Sequence, residues 1–298
     1  MAYTTTDFLS SVRQRGSIPT SSSSSNVNNT TNLLAFATEE LHIKLLPMIL
    51  AAREEFYVRN KDHTIAANTS RYAIPTRAAG MMLRDVQMIV GTSIRSLPPV
   101  DSEQISTTAV GEPIGYYLED SNVVLYPTPG SATGTLRLRY YLRPSKLVAT
   151  TACAQISAID TGTGVITVGS LPSTITTSTA IDLVSANSPF RTMALDLTPS
   201  ATSSTTVTVA AADLPTGLAV GDWVALADTS PIPQVPYEFL PVLSHLTVAR
   251  AMEAIGDEKG AAMARKELEL LAQNATTLVS PRVHGEPKRI VARRWASR

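Results

Sequence analysis

The sequence predicts an α+β protein: a helical bundle with a small antiparallel sheet, an inserted β-rich domain of sandwich or barrel type, and an extended C-terminal arm. Three observations predict it. Apolar residues recur at helical spacing near the N-terminus and again after residue 236. Between these stretches, TLRLRYYLRP alternates strictly, as a half-buried strand does. Residues 150–230 hold short Thr-, Ser-, Val- and Ile-rich runs at a spacing of roughly ten residues with turn residues between them, the pattern of a sandwich or barrel.

The elements follow in order. Residues 4–15 suit a short helix with Thr6 as N-cap and Phe8, Leu9 and Val12 on one side. Ser17 to Asn29 contains five consecutive serines and then Asn-rich sequence, a composition that reads as an exposed linker. A long helix is expected next, from Asn29 to Asn60. Leu33, Leu34, Ala37, Leu41, Leu45 and Met48 form its stripe, and Pro47 should kink or divide it.

From His63 to Pro144 the period shortens. RYAIPTRA and MMLRDVQMIV read as extended, the latter alternating around Leu83, Asp85, Gln87 and Ile89. GEPIGYYLED and SNVVLYPTP form a hairpin whose turn is expected at Ser121-Asn122. TLRLRYYLRP completes the sheet. After the β-rich stretch, Phe239, Leu243, Leu246, Met252 and Ile255 share one helical face, and Gly256-Asp257 should separate two helices. The expected division is residues 1–149 (helices and sheet), 150–230 (insertion), 231–279 (returning helices) and 280–298 (arm).

Charge is balanced overall, with 25 Lys plus Arg against 25 Asp plus Glu, but unevenly placed. The insertion has six Asp against Arg191 alone, giving −5. Arg282 to Arg298 has six bases against Glu286, giving +5. Hydrophobic residues make up 44% and charged residues only 17%, a balance that suits a β-rich or interface-rich protein better than a charge-coated enzyme.

Chemistry-bearing patterns are sparse. Cys153 is the single cysteine, which precludes an internal disulfide, and it reads as a small core residue. His42, His63, His245 and His284 have no metal-ligand spacing, and there is no nucleophile elbow, P-loop or dinucleotide fingerprint. Glu39-Glu40 and Glu54-Glu55 read as solvated ion pairs with Lys44, Arg53 and Arg59. Gly162-Thr163-Gly164 reads as a β-turn between Asp160 and Val165. No catalytic residue, metal or cofactor is expected. The N-terminus lacks a signal-peptide core and the longest apolar run, Leu45 to Ala52, is too short to span a bilayer, so assembly in a cytoplasm without membrane involvement is expected.

The arm has three readings: a solvated terminus, a nucleic-acid arm, or a segment that docks on a protein. Arg282, Lys288, Arg289, Arg293, Arg294 and Arg298 supply charge, and Ile290, Val291 and Trp295 supply apolar anchors that favour docking. Ordering about 17 residues costs roughly 25 kcal/mol at ~1.5 kcal/mol per residue, so the partner surface must be large.

An N-terminal helical pair, RYAIPTRA, GYYLEDSNVVLYPTP, TLRLRYYLRPSKLV and a Pro-rich lead-in to PYEFLPVLSHLTVARAMEAIGD together resemble the head-to-tail adaptor (connector, head completion) proteins of tailed bacteriophages. The resemblance covers residues 30–148 and 231–298. It implies a structural virion protein of the neck, made in the host cytoplasm, that forms a homo-oligomeric ring, a 12-mer by family symmetry. The ring would bind the portal through residues 280–298 and a downstream tail or nozzle protein below, with genomic DNA passing through its channel without sequence-specific contact. Amphipathic helices with apolar residues beyond one stripe, Leu34, Phe36, Ile43 and Leu46, offer surface for neighbours. Two other structural readings stay open. One is a different neck or tail-tube protein; the other is a receptor- or carbohydrate-binding module with Phe190 and Trp223 as aromatic platforms.

Overall fold

The computed structural model describes residues 3–280 apart from 22, 24–25, 102–108 and 133. The arm, including all nine residues expected to dock, lies outside the described residues. Among the described residues there are five α-helices: α1 (Thr5–Gly16), α2 (Thr30–Glu40), α3 (Leu46–Ala52), α4 (Leu240–Ile255) and α5 (Glu258–Val279). Strands β1 (Val58–Thr64), β2 (Arg71–Ala73), β3 (Ala78–Val90), β4 (Ser93–Ser96), β5 (Val110–Gly111), β6 (Gly115–Glu119), β7 (Asn122–Tyr126), β8 (Thr128–Pro129), β9 (Thr135–Leu142) and β10 (Lys146–Leu147) lie between α3 and the insertion. The rest are β11 (Ala154–Asp160), β12 (Val165–Val168), β13 (Ile181–Val184), β14 (Thr192–Leu197), β15 (Ala201–Thr202), β16 (Thr206–Thr208), β17 (Trp223–Leu226) and β18 (Thr229–Ser230). The architecture is mixed α/β, with three antiparallel sheets and two short parallel pairs.

The N-cap of α1 is Thr4, two residues before the expected Thr6. Its hydroxyl accepts from the Asp7 N–H while the Asp7 carboxylate accepts from the Thr4 N–H, a reciprocal capping box. The long helix is divided, and a π turn at Leu41–Leu45 joins α2 to α3. The apolar residues Leu33, Ala37, Leu41, Leu45 and Ile49 recur every four residues. On an ideal α-helix that spacing drifts about 40° per step. The wider π turn takes part of the drift back, so Ile49 rather than the expected Met48 completes the buried stripe. Pro47 lies in the first turn of α3, directly after the π turn, so its missing N–H falls where the helical ladder changes register. Helix does not continue to Asn60. VRNKDHT becomes β1, paired antiparallel to β9 from Val58↔Tyr141 to Thr64↔Thr135.

The first sheet has the order β1-β9-β3-β4. Leu136, Leu138, Tyr140 and Leu142 of β9 point inward, as the alternation requires, and meet Val86 and Met88 of β3. In the β6–β7 hairpin Glu119 pairs with Asn122, so the turn is Asp120-Ser121, one residue earlier than expected. Asp120 takes the positive φ this turn needs, which aspartate tolerates better than most residues.

The insertion forms a seven-stranded antiparallel sheet of order β14-β13-β17-β11-β12-β16-β15 over one apolar cluster built on Ile156, Ile166, Ile181, Leu183, Val207 and Val224. The turn at residues 161–164 is as expected: Asp160 Oδ1 accepts from the Gly162 N–H, and Gly164 has φ +75°. The two chain crossings into the insertion lie together, because β10 and β18 pair in parallel. Buried Thr5 clamps them, its N–H donating to the Pro231 carbonyl and its hydroxyl to the Val148 carbonyl, each at 2.8 Å.

Helix α4 is the centre of the helical layer, with α1, α2 and α5 all packed on it. Its face is wider than the expected stripe, since Leu240, Val242, Leu243, Leu246, Val248, Ala249 and Ala251 are all buried, whereas Ile255 is exposed. Ser244 and Thr247 are buried too, and their hydroxyls donate to carbonyls one turn back, Leu240 and Leu243. Gly256 ends α4 with φ +82°, and Asp257 caps α5 through the Gly260 N–H, so the expected break is present.

Candidate functional site

Interaction surfaces and the joint between the sheets carry the chemistry of interest. On α5, Ala261, Ala264, Ala275 and Val279 are buried, with Leu268 and Leu271 partly buried beside them. Beside that face three large apolar residues are open, Met263, Leu270 and Leu278 at 73%, 64% and 63% exposure, with exposed Glu267 and Asn274 between them. Spacings of seven and eight residues hold these three within about 80° of arc on a 3.6-residue helix. A long helix with one face packed and three open apolar residues along its flank leads directly to Ser280, where the arm begins.

The expected neighbour-facing residues of the N-terminal helices divide differently. Leu34 and Leu46 are buried in the main core and Phe36 is half-buried, so of the four Ile43 alone is fully exposed. Phe190 and Trp223 are only 5% and 8% exposed and belong to the helical core, so neither can act as a platform for a sugar ring. Cys153 is buried, and burial pushes its thiol up to about 12, which suits the expected core role.

Where the insertion meets the first sheet, a buried ionic cluster forms around Arg77. Its Nη1 donates to Asp182 Oδ2 at 2.7 Å, and its Nη2 donates to Ser145 Oγ at 2.9 Å. The side chains are 6% and 0% exposed, so this pair is fully desolvated. Asp196 and Asp228 approach the same guanidinium at 3.5 and 3.7 Å. Asp182 also accepts from the Asp196 and Asp228 N–H groups at 3.0 and 3.1 Å. Burial pushes the Asp182 carboxyl above its ordinary value, with Arg77 pulling the other way. Gln234 extends the network, accepting from the Ser145 N–H at 2.9 Å and donating to Thr192 Oγ1 at 2.6 Å. Sequence reasoning passed over Arg77. The available signal was Asp182 itself, a lone acid inside the apolar run AIDLV.

Two of the histidines lie on helical segments and make structural contacts. His42 Nε2 bonds the Pro144 carbonyl at 2.8 Å. His245 lies between Arg15, 2.7 Å from its Nε2, and Glu267, 3.6 Å from its Nδ1. Arginine can only donate, so Nε2 accepts and the ring proton faces Glu267. Burial holds His245 below its ordinary value, helped by Arg15. The paired acids find other partners than expected. Glu54 and Glu55 both reach Arg84, at 3.1 and 3.2 Å. Glu39 reaches Arg250 at 3.9 Å, and Glu40 pairs with the expected Lys44 at 2.7 Å but is buried rather than solvated. Among the described residues no three His, Cys, Asp or Glu side chains gather as a metal site, and no helix is long and apolar enough to cross a membrane.

Comparison with known families places the chain among phage adaptor-type virion proteins. It belongs to the SU10 adaptor protein family, whose model matches residues 3–167, more than half of its 298 residues. The match runs from α1 into β12, so it takes in the start of the insertion and stops before α4 and α5. No curated protein matches the chain.

Proposed function

We propose that this protein, acting without catalysis, forms the head-to-tail adaptor ring of a tailed bacteriophage. The α1, α2, α4 and α5 helices would make the bundled wall of a closed, 12-membered ring, and the arm from residue 280 would dock on the portal. Arg282, Lys288, Arg289, Arg293, Arg294 and Arg298 give the arm its charge, and Ile290, Val291 and Trp295 its anchors. The observation that carries the reading is the exposure of Met263, Leu270 and Leu278 on α5, just before this arm, on a chain of the SU10 adaptor family. Large apolar side chains exposed to water are unfavourable, and head-to-tail contact around an axis would bury them on every copy. The tail component would meet the opposite face of the ring, and DNA would pass through the lumen without base contacts.

Native mass spectrometry with the cognate portal tests this. Full-length protein should load stoichiometrically, and a chain ending at Ser280 should not. Loading that survives truncation removes the arm's role. No association of either form moves the protein to another neck or tail-tube position.

A further inference from the structure

Two strand edges face each other across an open groove. In the first sheet β1 is an edge strand, and in the insertion β14 is an edge strand. Among the described residues, no backbone hydrogen bond joins either one to a further strand. Arg59, Asn60 and Lys61 from β1, and Met193, Leu195 and Asp196 from β14, line a cavity of about 440 Å³ between them, with Tyr140 in its lining. A second hollow of about 290 Å³ continues past Arg59 and Met193 to Arg191 and Pro215.

The charges in this groove are unbalanced. Arg59, Lys61 and Arg191 form no ion pair with any described carboxylate. Asp196, the one acid in the lining, is already engaged with Arg77. Arg59 donates to the Thr192 carbonyl, and Arg191 leans over the Phe56 ring at 5.6 Å. Burial and the neighbouring Arg191 both push the Arg59 guanidinium below its ordinary value, the mark of like charges held together out of water. Arg59 and Arg191 lie close enough to repel each other, and Lys61 stands two residues along on the same face of β1 as Arg59.

We propose that the groove between β1 and β14 is a docking site for an extended, acidic segment of a partner protein, added as a strand to one of the two open edges. Main-chain pairing to an edge would hold such a segment in register. Alternate side chains would then face opposite ways. The acidic set, on the inward face, would meet Arg59, Lys61 and Arg191 in charge-assisted pairs, while the apolar set would face away from these basic side chains. A nucleic-acid strand satisfies the charges and leaves the two backbone edges unused.

The test uses full-length protein and a fluorescent peptide that alternates Glu and Val, titrated by anisotropy at low salt. A Lys-Val peptide and a single-stranded oligonucleotide serve as competitors of different chemistry. Saturable binding of the Glu-Val peptide is expected, about tenfold weaker in exposed-site variant Arg191→Gln, where one charge-assisted contact is lost. Hydrogen exchange should slow at amides of β1 or β14 on binding. Absence of saturation, equal binding of the Lys-Val peptide, tighter binding of the oligonucleotide, an unchanged Arg191→Gln affinity or protection elsewhere would each overturn the proposal. A circular-dichroism melt of the variant matching the parent separates lost contact from lost fold.

Discussion

Replacing Arg77 with Met should be among the most damaging single changes in the described chain. The side chain is buried, and its volume is roughly kept, so the loss reports on charge rather than on a cavity. Asp182, wholly buried, would lose its 2.7 Å partner and keep two backbone donors, from Asp196 and Asp228. Removing one partner of a buried pair costs roughly 3–5 kcal/mol, and the surviving donors place this case near about 3 kcal/mol. Asp182→Asn leaves Arg77 with Asp196 and Asp228 nearby, and should cost about 2 kcal/mol. The double variant should lose clearly less than the two losses added together, because the residues share one network. Urea unfolding followed by Trp223 fluorescence, in a Trp295→Phe background, measures all four proteins. The loss in Arg77→Met should also shrink as pH falls. A carboxyl whose native value lies above the unfolded value near 3.8 binds more protons in the folded state, so acid stabilises through that window. Additive losses within about 0.5 kcal/mol, or an Arg77→Met loss that ignores pH, would refute the buried-pair argument.

Three further outcomes are expected. The native value of His245 is depressed, so its contribution is present above about 6.5 and lost as pH falls below it. The melting temperature should drop on acidification, and His245→Gln should lessen that drop without abolishing it, because His42 and His63 are depressed too. Met263→Glu with Leu270→Glu should change stability by no more than about 0.5 kcal/mol each, since both sites are open. If the parent sediments as the proposed ring, the same double variant should sediment as monomer, and an intact ring would remove α5 from the interface. Iodoacetamide should leave Cys153 unmodified in the folded protein and label it in urea, because its buried thiol has a value near 12.

Local pattern was legible where a segment's neighbours are close in sequence. The alternation of β9, the Gly256 break and the turn at Gly164 each follow from chemistry within a few residues. Strand β1 did not, because VRNKDHT has neither apolar alternation nor a turn beside it. It is a strand only because β9, more than seventy positions later, offers it a partner. The shift from Met48 to Ile49 came from a π turn, which no period-based reading anticipates. Likewise the charge excess of the insertion was legible as a sum. Its destination was not, since Asp182 is spent on a buried arginine that lies 105 positions earlier.

The place of Phe190 and Trp223 changes what the insertion can be. Composition marks residues 150–230 as a separate material, as a tethered module would be. Yet Val184, Ala186, Phe190, Trp223 and Ala225 belong to the same apolar cluster as Phe8, Leu33, Leu45 and Leu243. Arg77 anchors Asp182 from the other side, and Thr5 at the start of α1 holds both chain crossings. The sheet thus keeps an apolar cluster of its own and gives one end of its apolar surface to the helical core. A hinged module would need a polar, wet joint that can open, whereas this joint would expose core residues and a buried charge pair. The insertion therefore moves with the body, and any partner it meets is held at a fixed distance from the helices.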